Sequence, residues 1–271
     1  MAAALDQAAF FWAARLKLSL KNTDLGLRVM RGAQAVSMKR LERIGFVRFT
    51  PRLEAGSRVL IVGAGPSATA TAVAAVRGDF DATITLNAAW KAAPGAEVIS
   101  YEFAFRDATK YALQMQEIQM LDPTCIVFKP HALMMMPRGE RAALASRFLD
   151  VAVGNAAHFV PHNNVSSTYQ ATSLGLLNRR RARLPIQWKG SLTMWLDLCW
   201  LSRVGTVGLI GTDLGTLQTG GSFVDHATNT TSTSAPSLLS TLEKLYSHGY
   251  LADMAFRHFH TNTQLRAILA E

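Results

Sequence analysis

Cysteine is nearly absent from this chain. Cys125 and Cys199 are the only two among 271 residues, each in an apolar stretch and without metal-type spacing, which predicts reduced core thiols in a cytoplasmic protein rather than a disulfide framework. An uninterrupted apolar opening is missing too. "MAAALDQAAFFWAARLKL" has no basic n-region, carries Asp6 and is broken by Arg15 and Lys17, so it predicts neither a secretory signal nor a membrane span. Acidic side chains are the third shortage: 19 Asp and Glu stand against 28 Lys and Arg, a net charge of +9, which favours a polyanionic partner. Residues 1–55 carry ten basic and four acidic side chains and so hold most of that excess.

What is present reads as a folded globular domain, with 49% of residues hydrophobic and a length compatible with one α/β unit plus a small appendage. From Gln7 to about Val47, Phe10, Phe11, Ala14, Leu18, Leu25, Leu27, Met30 and Leu41 recur at mostly helical spacing among Arg and Lys. This predicts a basic helical extension over 1–55, packed on the domain or lying on an anionic membrane surface. Residues 56–271 form the main domain. "RVLIV" (58–62) reads as a buried strand, Ser67 to Val76 as a helix, and "ATITLN", "AEVISYEF" and "TCIVFK" as further strands. Helices are expected at Asp107 to about Gln119, at 139–151 and from Ser191 to Val204, before the strand "TVGLI" (206–210). Alternating β and α elements imply a mostly parallel, Rossmann-like sheet flanked by helices. Residues 216–237, rich in Thr, Ser and Gly, predict a mobile loop containing His226, and the tail from Leu238 reads as helical with a break near His248-Gly249.

The chemistry concentrates at strand ends. Gly63-Ala64-Gly65-Pro66-Ser67-Ala68 satisfies G-x-G-x-x-A, a spacing that lets backbone approach a phosphate at a helix N-terminus. A dinucleotide site wants an acidic residue at the end of the next strand; this one ends in Asn87, which counts against NAD or FAD. Pro66 removes a donor from the turn, so a monophosphate or sugar nucleotide is at least as good a ligand. Asn87, Glu102 and Gly211-Thr212-Asp213 end other strands and line the same predicted crevice.

The segment "VLIVGAGPSATATAVAAVRGDFDATITLN" resembles the opening of bacterial sialyltransferases of glycosyltransferase family 42. Two further blocks, "GSLTMWLDLCWLSRVGTVGLIGTDLG" (190–215) and "DHATNTTSTSAPSLLSTLEKLY" (225–246), are similar to later segments of that family in the same order, and the three cover about 80 residues. The resemblance implies a single-domain GT-A-like variant with a lid. It implies transfer of a sugar acid, such as sialic acid or Kdo, from a CMP-activated donor to a cell-surface glycan or lipid-linked acceptor, with inversion and without a metal. Position by position, Gly63, Gly65, Pro66 and Ser67 would face the phosphate and nearby nucleotide, with Ala64 standing where the family places Asn, and Asn87 would meet the nucleotide and its sugar. Gly190, Ser191, Thr212 and Asp213 would form the opposite wall, and His226 would be the general base. The family's phosphate-steadying tyrosines have no counterpart near Asp213, which leaves Lys189 to offset the phosphate charge.

Imidazole suits deprotonation of an acceptor hydroxyl near neutral pH, and a loop histidine reaches substrate when a lid closes. His158 and His162 are the other base candidates. Glu102 and Arg106 read either as an ion pair or as contacts to the transferred sugar. Arg179, Arg180, Arg181 and Arg183 form either a solvated face or a grip on anionic lipid or acceptor phosphates, with the N-terminal helix beside them on the inner face of the plasma membrane. No aromatic residues interleave with this cluster, which argues against nucleic acid. The alternative classes are a diphosphokinase of the pterin-modifying type, an NAD- or FAD-binding oxidoreductase, and a non-catalytic nucleotide-binding protein.

Overall fold

The computed structural model describes residues 36, 38–39, 42–43, 47–48, 53–101, 116, 125–128, 158–164, 184–187, 190–214 and 235–269. The strands are β1 (Val47–Arg48), β2 (Arg58–Val62), β3 (Ala82–Leu86), β4 (Val98–Tyr101), β5 (Cys125–Phe128), β6 (His158–Phe159), β7 (Asn163–Asn164), β8 (Ile186–Gln187), β9 (Thr206–Ile210) and β10 (Ala255–His258). The α-helices are α1 (Ala70–Arg77), α2 (Ser191–Leu201), α3 (Ala235–Tyr246) and α4 (Thr263–Ile268), and Asn87–Lys91 forms a 3-10 turn.

Eight strands form one sheet in the order β1-β6-β5-β4-β3-β2-β9-β10, every pairing parallel. The expected α/β arrangement is therefore present. A separate two-stranded parallel ribbon joins β7 to β8. The near-continuous apolar run of β2 follows from its position in the middle of the sheet, where both faces are covered. Val59 and Ile61 face a core shared with α2, whereas Leu60 and Val62 pack with Ala68 and Val73 on the α1 side. Helix α2 is buried over ten of its eleven residues, which explains why "SLTMWLDLCWL" shows no polar stripe.

Four expectations change. Helix α1 starts at Ala70, not Ser67, because Ser67 is engaged elsewhere and Thr69 is the N-cap, its hydroxyl accepting from the Ala72 N–H at 3.1 Å. The tail is not wholly helical: β10 adds a strand beside β9, with Phe256 buried between the exposed Ala255 and Arg257, a period-two pattern within "AFRH". The basic N-terminal segment is not wholly helical either, since β1 within it pairs with β6 at the sheet edge. The start of α3 at Ala235 also makes the last residues of the expected 216–237 loop helical. The helices expected near 107–119 and at 139–151 lie outside the described residues, apart from helical Gln116.

Candidate nucleotide site

Strand order reverses at β2: the chain leaves it for β3 on one side, and β9 occupies the other. In such sheets the crevice outside the carboxyl ends of the two switch-point strands is the usual ligand position. The residues after β2 and β9 meet there. Gly63 N–H donates to Ile210 O and Gly65 N–H to Gly211 O, each at 2.8 Å. A Cβ on Gly63 or on Gly211 would collide with the other's carbonyl, and one on Gly65 would strike the Asp213 carboxylate. Glycine is thus required at these positions by the interlocking of two backbone turns.

Asp213 is the centre of that interlock. Only 3% exposed, its Oδ2 accepts from Ser67 N–H (3.0 Å) and Ser67 Oγ (2.7 Å), and its Oδ1 accepts from Thr261 N–H (2.8 Å) and Thr261 Oγ1 (2.7 Å). Ser67 Oγ in turn accepts from Gly211 N–H at 2.9 Å, and Asn262 Nδ2 donates to the Asp213 carbonyl at 3.1 Å. Burial opposes the charge on Asp213, but these donors outweigh it and hold the carboxyl below the ordinary carboxylate range. The N–H groups of Gly63, Gly65 and Ser67 are consequently turned toward the β9 exit, and Pro66 has none.

The donors left for an anion come from the other side of the crevice. Helix α2 runs into β9 through residues 202–205, so its N-terminus stands at the carboxyl edge of the sheet. Its N-cap is Gly190, at φ 132°, with no side-chain cap and no acidic residue in the first turn, so that among the described residues nothing compensates the positive helix end. Ser191 Oγ and Thr212 Oγ1 are both buried and, among the described residues, without a hydrogen-bond partner. Buried unpartnered hydroxyls are uncommon in folded proteins. Two residues beside the crevice adopt left-handed backbone: Asn87 at φ 55°, ending β3, and Leu214 at φ 55°, following Asp213. For Leu this conformation carries strain of the kind found at binding sites.

Of the residues singled out in the sequence, the fold brings Gly63, Ala64, Gly65, Pro66, Ser67, Asn87, Gly190, Ser191, Thr212 and Asp213 to the carboxyl edge around β2, β3 and β9. His226, Lys189, Glu102, Arg106 and Arg179–Arg183 lie outside the described residues. His162 is buried, its Nδ1 2.8 Å from Val160 O, just beyond β6 and four strands from β2; the side chain of His158 is outside the description. Sequence reasoning missed Thr261 and Asn262, although "TNTQL" carries a cap signal: Asn262 Oδ1 accepts from Leu265 N–H at 2.7 Å and opens α4. It also missed Asp197. Wholly buried on α2, Asp197 accepts from Ile186 N–H at 2.7 Å through Oδ2, while Oδ1 has no partner. Burial pushes this carboxyl up to about 7 against the opposing pull of Tyr250 and the Ile186 N–H.

A scan against family models returns no match, and neither does a search of the curated proteins. Among the described residues no cluster of three metal-ligating side chains occurs, and no helix is long and apolar enough to cross a membrane.

Proposed function

We propose that the chain is a glycosyltransferase that moves a sugar acid from a CMP-activated donor to a cell-surface glycan or lipid-linked acceptor. The observation that carries this reading is the pair of buried, unpartnered hydroxyls, Ser191 Oγ and Thr212 Oγ1, at a switch-point crevice where α2 presents an uncapped N-terminus. Such a wall suits the phosphate or carboxylate of an activated sugar acid. Asn87 at the end of β3, in place of an acidic residue, favours CMP over a dinucleotide. Lys189, one residue before the Gly190 cap, offsets the leaving phosphate.

In this reading His226 takes the proton of the acceptor hydroxyl as that oxygen attacks the anomeric carbon, CMP departs from the opposite face, and the configuration inverts. Glu102 and Arg106 contact the transferred sugar, and no metal takes part, as the family resemblance implies. The protein works at the inner face of the plasma membrane, which its basic N-terminal segment and Arg179–Arg183 engage electrostatically.

The test is thermal stabilisation by CMP, CDP, UDP, ADP and NAD, with and without Mg²⁺. Stabilisation by CMP or CDP in the absence of metal supports the reading, and a preference for NAD or for ATP with Mg²⁺ overturns it. His226→Ala is expected to abolish transfer with CMP affinity nearly unchanged, and parallel loss of both would remove His226 from the role of base.

A further inference from the structure

Beyond β10 the chain turns through His260-Thr261-Asn262 before α4, and this turn supplies three of the donors that hold Asp213: Thr261 N–H, Thr261 Oγ1 and Asn262 Nδ2. Behind it lies a histidine relay with a single consistent proton arrangement. His258 Nε2 is 2.6 Å from Leu269 O, a pure acceptor, so that nitrogen carries the hydrogen and His258 Nδ1 is bare. His260 Nε2, 3.0 Å from His258 Nδ1, must then be the donor between the rings. His260 Nδ1 accepts from Asn262 N–H at 3.2 Å. Each ring uses one nitrogen to donate and one to accept, so the pair has no place for another proton.

The charged groups around the rings do not compensate. Arg266 of α4 donates to His260 O through Nε (3.1 Å) and Nη2 (2.6 Å), bringing a guanidinium near the pair. Among the described residues Asp213, after β9, is the only acid that acts on His260 electrostatically, and its carboxylate already accepts four hydrogen bonds. Burial first, with the Arg266 guanidinium adding to it, pushes the His260 imidazole down to about 4 against the opposing effect of Asp213.

We propose that His258 and His260 are positioning residues for the crevice: as a neutral pair they hold the Thr261–Asn262 turn against Asp213, and uptake of one proton releases that turn and frees the two glycine turns. The proton comes from solvent and settles on His260 Nδ1, where it faces the Asn262 N–H. That placement sets donor against donor. His260 binds its proton less readily in the closed clasp than in the open one, so by linkage the clasp weakens as pH falls below about 6.5 and the effect is complete near 4. The inference concerns the frame of the site and stands whichever ligand the crevice takes.

The experiment is hydrogen exchange at the amides of Gly65, Ser67, Gly211, Thr261 and Asn262, corrected for intrinsic rates, between pH 7 and pH 4.5. In the wild-type protein their opening is expected to rise by up to about tenfold per pH unit below pH 6, the limit for one proton, with β3 amides lagging behind. His260→Gln keeps an acceptor for Asn262 and a donor for His258 but cannot charge, and its profile at the same amides is expected to be flat or much shallower. A pH-insensitive wild type, or an equal slope in His260→Gln, overturns the proposal. Should His260→Gln not fold, Thr261→Val serves: it is expected to raise exchange at Gly65, Ser67 and Gly211 at least fivefold at pH 7, and unchanged protection there overturns the coupling.

Discussion

Asp197 offers the sharpest quantitative test of the structure. Its carboxyl is wholly buried, accepts from Ile186 N–H on Oδ2 with no hydrogen bond on Oδ1 among the described residues, and is pushed up by burial from 3.8 to about 7 against the pull of Tyr250 and the Ile186 N–H. In the unfolded chain the same group ionises freely, so between pH 4 and 7 the folded state holds a proton that the unfolded state has released. Stability must fall as pH rises through that window. Between pH 5 and pH 8 the two ionisation curves separate by about 2–3 kcal/mol. Asp197→Asn keeps the shape and the acceptor for Ile186 N–H and removes the charge. Urea unfolding of both proteins at the two pH values gives a double difference in which all other groups cancel. The variant is expected to gain about 2–3 kcal/mol on the wild type in going from pH 5 to 8, a relative shift in Tm of roughly 5–10 °C. A double difference near zero, or of opposite sign, would refute the reasoning that this carboxylate is buried without adequate partners.

Gly65→Ala drives a methyl group into the Asp213 carboxylate and the Gly211 carbonyl and is expected to cost about 1–3 kcal/mol. Gly78, with open space around its Cα and φ −61°, is the control: Gly78→Ala should be neutral or mildly stabilising in the same thermal melt, and equal losses at both sites would discredit the interlock. Ser67→Ala removes a donor from a buried charged carboxylate and the acceptor of Gly211 N–H, and is expected to lower stability by about 2–3 kcal/mol in urea titration. Ser191→Ala removes an unpartnered buried hydroxyl, so it should leave stability within about 0.5 kcal/mol of the wild type while weakening CMP binding roughly tenfold by calorimetry; the reverse pattern would count against a ligand at that wall.

Much of this architecture was legible because strands buried on both faces announce themselves as short apolar runs. "RVLIV", "ATITL" and "TVGLI" needed only their flanking turns to be placed, and their alternation with helices implied parallel pairing. β10 was not legible in the same way. Its four residues carry a single buried aromatic, and the neighbouring helical stretches on both sides draw a tail reading toward helix. The glycine motif was found but explained incompletely, since spacing reveals where backbone must come close without revealing what it approaches. Here Gly65 approaches Asp213 and Gly211, which lie almost 150 positions away. Thr261 and Asn262 carry no chemistry of their own in a linear reading, and their contribution exists only once β10 has docked beside β9. Asp197 hid within an apolar helix because one acidic residue in eleven looks like an exposed position, and burial is a property of the assembled layers.

The crevice is stitched together from residues 63–67, 211–214 and 261–262, three stretches spread across nearly the whole described chain. During synthesis the first glycine turn emerges long before either partner, and Asp213 leaves the ribosome without Thr261, whose N–H and hydroxyl saturate its Oδ1. No partial chain ending before β10 can hold this site closed. Closure of the crevice is therefore the last property the molecule acquires as it folds, and the slow, long-range pairing of a parallel sheet governs when it arrives. A chain cut off just ahead of β10 would retain most of its core and lose the clasp, leaving the carboxylate at the site's centre fastened on one oxygen, by Ser67, and open on the other.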